Sequence, residues 1–272
     1  MIRAAVVGWP VSQSRSPLIH GHWLKQFGID GDYGRIAVEP ERIDRFFARF
    51  ADSGLAGCNV TIPYKEIAAR LADHREPVVE RIGAANTLWI EDGQLCADNT
   101  DGVGFAANLD DRAPDWDKQR GEALVLGAGG AAAAVVDALI ERGFTVRIVN
   151  RTLSRAESLA GRYPGRASAD VISAANRYAA TAGFVVNATS LGMKGDGVVD
   201  LDMSVIPSDA VVTDIVYVPL VTSFLDAAAA RGLRTVDGLG MLLHQAVPGF
   251  TRWFGRRPAV TPELRTLIEA DL

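Results

Sequence analysis

The chain has 272 residues, of which 48% are hydrophobic and 22% charged, with a formal net charge of -5 at pH 7. That length suffices for two domains with real cores. An acidic balance with no lysine or arginine block excludes a nucleic-acid footprint or a basic membrane-surface patch, and leaves a small molecule as the expected partner. The two cysteines, Cys58 and Cys96, suit unpaired thiols in a reducing compartment better than a disulfide framework. The start, MIRAAVVGWP, leads straight into a strand-like run, without the apolar segment of a signal peptide. No run approaches membrane-spanning length, so a cytoplasmic location is expected.

In chain order, RAAVVG (3–8) predicts a strand, SPLIHGHWLKQFG (16–28) a helix, YGRIAV (33–38) a strand and PERIDRFFARFADSG (40–54) a helix. Pro17 and Pro40 stand in first-turn positions, Gly28 and Gly54 in stop positions. In CNVTIPYKEIA (58–68) the β-branched run from Val60 to Ile62 predicts a buried strand that Pro63 ends. Tyr64, Ile67, Ala68 and Leu71 then fall on one helical face. Lys65 therefore opens a helix, where the positive end of the macrodipole disfavours a cation and an acid would be the ordinary choice. NTLWIEDGQLCAD (86–98) holds two alternating runs around Glu91-Asp92-Gly93, the pattern of an antiparallel hairpin. Together these elements predict an α/β unit with a mixed, mainly parallel sheet.

The segment LDDRAPDWDKQRGE (109–122) gathers charge, Pro and Gly near mid-chain, and a domain boundary is expected close by. A second alternation follows: ALVLGAGG from Ala123, a helix near 130–142, FTVRIVN (144–150), a helix near 153–162, GFVVNAT (183–189), AVVTDIVY (210–217) and a helix near 220–231. This is a doubly wound, Rossmann pattern. Neither a solenoid period nor a low-complexity tract interrupts it.

The turn Gly127-Ala128-Gly129-Gly130-Ala131-Ala132 fits G-x-G-x-x-A between a strand and a helix. Gly127 allows the sharp turn, Gly129 lets the backbone approach a pyrophosphate, and Ala132 is small enough for helix-sheet packing. The helix start supplies amide donors. A glycine-rich turn alone is weak evidence, and the strand-turn-helix context gives it weight. Where an NAD site usually carries an acid at the end of the next strand, this chain has Asn150, followed by Arg151, Thr152 and Arg155. A hydroxyl and two guanidinium groups with no carboxylate predict NADP over NAD; the bland alternative is two arginines solvating a helix face.

Asp101, in CADNTDGVGFAANL, opens the helix leading to the boundary. Alone it reads as a helix cap, and Lys65 alone as a surface lysine. Together, at strand-to-helix corners beside a dinucleotide domain, they can face a cleft as a coupled proton-transfer pair.

The ordered set SQSRSPLIH (12–20), NVTIPYK (59–65), GAANT (83–87), DNTDGVG (98–104), GAGGAA (127–132), NRTLSRAESLA (150–160), NATSLGM (187–193), DIVYVPLVT (214–222) and DGLGMLLHQA (237–246) resembles the shikimate dehydrogenase family over nearly the whole chain. The resemblance implies NADP-linked interconversion of 3-dehydroshikimate and shikimate in aromatic amino acid biosynthesis, with Lys65 and Asp101 as catalytic pair. It implies that Ser14 and Ser16 hold the substrate carboxylate and that Thr61, Asn86, Asp101 and Gln245 meet its hydroxyls or their backbone surroundings, with Tyr217 nearby. Residue by residue, Ser16 can be merely an N-cap, Thr61 and Asn86 sheet polar groups, and Gln245 a solvated helix residue.

On the cofactor side the resemblance points to Gly127, Ala128, Gly129, Gly130 and Ala131, to Asn150, Arg151, Thr152 and Arg155, and to Thr189, with Ile215 and Gly238 beside the nicotinamide. Met193 and Met241 can wall that ring or serve as core. It further implies a substrate domain of residues 1–104 and 239–272, interrupted by an NADP-binding Rossmann domain of residues 105–238, in a monomer or homodimer. The four histidines, His20, His22, His74 and His244, show no metal-ligand spacing, so no metal is expected. The chain departs from the family pattern at Gly21, often Asn, and at Pro248, which is expected to break or kink the last-but-one helix. Two rivals remain: a quinate/shikimate dehydrogenase of broader substrate and cofactor use, expected to change the serine pocket or carry an acid near Asn150, and a non-catalytic sensor of shikimate-pathway metabolites.

Overall fold

The computed structural model describes residues 1–118 and 121–272. Gln119 and Arg120, within the polar segment where the sequence places the boundary, lie outside the described residues. The chain is α/β and divides into two compact units, one of residues 1–100 and 245–271, the other of residues 101–244 with Leu272.

The first unit opens with β1 (Ile2–Gly8), α1 (Ser16–Phe27), β2 (Gly31–Ala37), α2 (Ile43–Ala48), β3 (Gly57–Val60), α3 (Lys65–Leu71), β4 (His74–Arg75), α4 (Pro77–Ile82), β5 (Thr87–Glu91) and β6 (Gln94–Asp98). Its sheet runs β2-β1-β3-β5-β6-β4. β1 lies parallel to β2 and β3, while β5 runs antiparallel to β3 and β6. The mixed sheet arises where the predicted hairpin replaces a crossover, and Asp92 and Gly93 both take positive φ, 51° and 77°, at its tip. Val7, Val60, Leu88 and Ala97 from four strands pack with Tyr64 and Ala68 of the α3 turn and with Phe47 and Phe50. The apolar face expected for the Lys65 helix is therefore the buried one.

Two local expectations change. The single helix over 40–54 is three short pieces, because Arg49 leaves the helical region at φ -115°, ψ 22°. That break lets Phe50 join Phe46 in an edge contact, ring centroids 6.0 Å apart. The strand expected to run to Ile62 ends at Val60, and Ile62 is 71% exposed. Thr61 still donates to Val7 O and Trp9 to Ile62 O, but Pro63 has no amide with which to extend the ladder, and Tyr64 N turns back to Thr61 O.

The second unit comprises α5 (Asp101–Arg112), β7 (Glu122–Leu126), α6 (Gly130–Glu141), β8 (Thr145–Asn150), α7 (Leu153–Ala160), β9 (Ala167–Val171), α8 (Ala175–Ala179), β10 (Ala182–Asn187), β11 (Val211–Asp214), α9 (Ser223–Ala230), β12 (Arg234–Val236) and the start of α10 (Leu239–Phe254). Its all-parallel sheet runs β12-β11-β10-β7-β8-β9, the Rossmann order with a switch point between β7 and β10. β7 and β10 are largely apolar runs and all of β11 is buried, because helices cover both faces of such a sheet.

Residues from Gln245 onward return to the first unit through the rest of α10 and through α11 (Pro262–Glu269). Phe250 packs edge-on against Trp23 with ring centroids 5.3 Å apart, and the Trp253 indole donates to Leu88 O at 3.2 Å. The helix continues through Pro248 to Phe254, where the sequence predicts a break or kink. Burial of Ala246, Phe250, Trp253 and Phe254 offsets the one backbone bond that proline withholds. Gly21 is exposed, and a Cβ built there meets nothing within 4 Å, so that departure touches no packing.

Candidate active site

In each unit the motif residues gather at the carboxyl ends of the parallel strands, where open α/β sheets bind ligands. In the first unit, Ser14 and Ser16 follow β1, while Thr61 and Lys65 follow β3. Lys65 is half-buried in the first turn of α3, and its carbonyl accepts the Ala85 amide at 2.8 Å. That bond fixes the segment carrying Asn86.

Asn86 is the hub of the first unit's polar site. Its Oδ1 accepts from the Thr100 amide at 2.9 Å and the Thr87 hydroxyl at 2.9 Å, and lies 3.2 Å from the Thr100 hydroxyl oxygen. Its Nδ2 donates to Gln245 Oε1 at 3.5 Å, and Thr100 Oγ1 donates to Gln245 O at 2.8 Å. Three segments distant in sequence thus meet through one amide, and Asn86, Thr100 and Gln245 are all buried. Such a network is held in place because each member would be costly if left unpaired. Gln245 is accordingly no solvated helix residue.

Ser16 lies inside α1, whose N-cap is Arg15. Its amide instead meets Ser14 Oγ at 3.3 Å, and Ser14 Oγ donates to Ser16 Oγ at 3.2 Å. The simple capping role is therefore not the one Ser16 plays. Arg35 of β2 donates to the Ser14 carbonyl from Nε and Nη2 at 3.0 and 2.6 Å. Sequence reasoning passed over Arg35, which lies outside every motif, and gave no role to Asn59 and Thr100, which lie inside NVTIPYK and DNTDGVG; for Arg35 the alternation that places residues 33 and 35 on the same face was the available signal.

In the second unit Asp101 opens α5 and is 6% exposed. The glycine-rich turn lies at the switch point. Gly127 has φ +112°, and a Cβ there would come 2.9 Å from Ala188 O, so the fold itself requires that glycine. Gly129 and Gly130 differ, since neither has positive φ and a Cβ at either meets no protein atom within 4 Å. Open space over amides at the start of α6, lined by residues without side chains, fits the phosphates of a dinucleotide. Ala128 and Ala131 border that turn, half-buried, and Ala132 is fully buried beneath it.

At the end of β8, Asn150 Nδ2 donates to Thr152 O at 2.9 Å and shapes the turn. Arg151, Thr152 and Arg155 are exposed, and neither arginine forms an ion pair with a described residue. Beside β10, Thr189 is bound to Asn187 Oδ1 through both its amide and its hydroxyl, at 3.1 and 2.7 Å. Asn187 Nδ2 in turn donates to Asp214 Oδ1 at 3.0 Å. Burial pushes the Asp214 carboxyl above the ordinary carboxylate range, while bonds from the Thr222 hydroxyl, the Val216 amide and Asn187 oppose that shift. This node braces the segment bearing Ile215 and the half-buried Tyr217. Gly238 lies against it, where a Cβ would be 2.5 Å from Ile215 O. Met193 is 42% exposed and Met241 half-buried, so neither is plain core.

Three family models match the chain in order: shikimate dehydrogenase substrate binding domain over residues 6–88, shikimate / quinate 5-dehydrogenase over residues 111–194, and shikimate 5'-dehydrogenase C-terminal domain over residues 238–262. The chain is 57% identical, over 276 aligned residues covering 100% of it and 97% of the relative, to the shikimate dehydrogenase (NADP(+)) of Azorhizobium caulinodans. Among solved structures it is similar to shikimate 5-dehydrogenase from Thermus thermophilus in complex with NADP(H) and shikimate, with 35% identity, TM-score 0.88 and coverage of 100% of both chains. It is also similar to quinate dehydrogenase from Corynebacterium glutamicum in complex with NAD, with 29% identity, TM-score 0.90 and 99% of both chains covered. Motifs, topology and relatives agree, and the chain belongs to the shikimate dehydrogenase family.

Proposed function

We propose that this protein reversibly reduces 3-dehydroshikimate to shikimate with NADPH, in aromatic amino acid biosynthesis, with Lys65 and Asp101 as its proton-transfer pair. The observation that carries the substrate side is the buried Asn86 hub, which joins the Lys65 turn, Thr100 and Gln245 in one polar surface. A polyol acid needs such groups, and an analogue lacking a hydroxyl would leave one unpaired.

The nicotinamide cofactor supplies the hydride. The Lys65 ammonium donates a proton to the C3 oxygen of 3-dehydroshikimate, and its neutral amine takes the hydroxyl proton in the reverse direction. Asp101, next in chain to Thr100, orients that oxygen and biases the lysine charge. Ser14 and Ser16 hold the substrate carboxylate; Thr61, Asn86 and Gln245 meet the ring hydroxyls, with Tyr217 beside them. The 127–131 turn holds the pyrophosphate, Asn150, Arg151, Thr152 and Arg155 hold the 2'-phosphate, and Thr189, Ile215 and Gly238 border the nicotinamide. Two buried, unpaired thiols, Cys58 and Cys96, fit the reducing cytoplasm. Among the described residues no helix is long and apolar enough to cross a membrane.

The test is a rate matrix of shikimate and quinate against NADP and NAD. Shikimate with NADP is expected to be fastest; equal or better rates with quinate and NAD would select the broader relative instead. Lys65→Ala should lower turnover by roughly 100- to 10,000-fold while leaving shikimate binding largely intact. A variant that keeps near-normal turnover would refute the lysine's role.

A further inference from the structure

β2 carries none of the motif residues, yet it supplies two of the groups that hold the serine arm. Tyr33 and Arg35 stand two apart on that strand, hence on one face. Arg35 clamps the Ser14 carbonyl, as described. Tyr33 is 5% exposed and lies flat against His20, with ring centroids 3.8 Å apart and planes 3° apart. Its hydroxyl donates to Asn59 Oδ1 at 2.6 Å, and the His20 ring it stacks on lies one turn after Ser16 along α1.

Asn59 continues the connection. Its Nδ2 donates to Asn86 O at 3.1 Å and to Thr87 Oγ1 at 3.3 Å, and Thr87 Oγ1 donates to Asn86 Oδ1 at 2.9 Å. One buried tyrosine therefore joins the helix that carries Ser16 to the Asn86 hub.

Packing alone gives no reason for that oxygen. The surroundings of the ring are aromatic, with Trp253 at 6.1 Å and, around His20, Trp23 and Phe250. A buried hydroxyl gains little there and obliges its partners to be buried as well.

We infer that Tyr33 is a positioning residue for substrate binding, fixing the Ser16 hydroxyl and the Asn86 amide at one spacing so that the carboxylate and ring hydroxyls of a single molecule are met together. The inference rests on the function proposed above and extends it to a residue that meets no substrate atom.

Tyr33→Phe keeps the ring and its stack on His20 and removes only the oxygen. Initial-rate kinetics of the full-length protein with shikimate and NADP should show KM for shikimate raised about tenfold or more, with kcat within about threefold and KM for NADP unchanged. Ser16→Ala should raise the same KM, and Tyr33→Phe added to it should raise it by less than Tyr33→Phe does alone, because part of its effect passes through Ser16. Asn59→Ser severs the link from its other end, and should give the same selective rise should Tyr33→Phe fail to fold. A lower melting temperature with KM unchanged, equal rises in both KM values, or fully multiplicative effects in the double variant would each overturn the inference. A wild-type protein inactive on shikimate would instead overturn the function itself.

Discussion

His20 is fully buried among Tyr33, Trp23, Phe250 and Trp253, and neither ring nitrogen has a partner in good hydrogen-bonding geometry. Burial pushes its imidazole from 6.5 down to about 3, against a weaker opposing pull from the Asn59 side chain. The sign follows directly: between those values the unfolded chain binds a proton that the folded chain refuses, so stability falls as pH falls through 6.5 and goes on falling to about 3. At about 1.4 kcal/mol per pH unit this costs the folded state about 3 kcal/mol by about pH 4. Urea unfolding of wild type and His20→Leu across that range should show the stability difference moving in the variant's favour by about that amount on acidification; parallel curves would refute the assignment. The sequence marked His20 only as part of a motif without metal spacing. That it is a neutral, stacked ring depends on residues some 230 positions later in the chain, roughly the distance to the α10 aromatics.

The segment after β11 that bears Ile215 and Tyr217 is held by side-chain hydrogen bonds rather than by a helix or a strand. Asp214 ends β11, and its carboxylate receives Asn187 Nδ2, the Val216 amide and the Thr222 hydroxyl at 3.0, 2.9 and 2.7 Å. Asp214→Ala leaves all three donors buried without that acceptor and should cost roughly 2–5 kcal/mol, whereas Asp214→Asn keeps one oxygen and should cost roughly half as much. Urea unfolding reads both, with an unchanged slope expected if the denatured state is unaffected. DIVYVPLVT was legible as a motif, but the pairing of its first residue with NATSLGM came only from the adjacency of β10 and β11. Similarly, β9, β12 and β4 escaped sequence reading because runs of five, three and two residues, partly polar, carry too little alternation to register. At Pro248 the case is opposite: the local penalty is written in the sequence, and the aromatic burial that offsets it is not.

At the scale of the molecule, the Rossmann order and its switch point account for a dinucleotide better than any single glycine. NADP at about a hundredfold above its Kd should stabilise the folded protein by about 2.7 kcal/mol, seen as a melting shift of roughly 5–10 °C. Arg151→Ala should weaken NADP binding roughly tenfold to a hundredfold and leave NAD within about threefold, since what it loses is a charge-assisted bond to one phosphate. An equal loss for both dinucleotides would remove the 2'-phosphate role from Arg151. The sequence by itself determined the α/β class, the hairpin, the glycine turn, the absence of an acid at Asn150 and the helix that opens on Lys65, because each is written in residues close along the chain. Tertiary structure alone decided that Asn86, Thr100 and Gln245 share one network, that His20 stacks on Tyr33, and that Gly129 and Gly130 face open space whereas Gly127 faces Ala188. Burial and hydrogen-bond partnership are properties of neighbours brought together by strand order and packing, and no local periodicity encodes them.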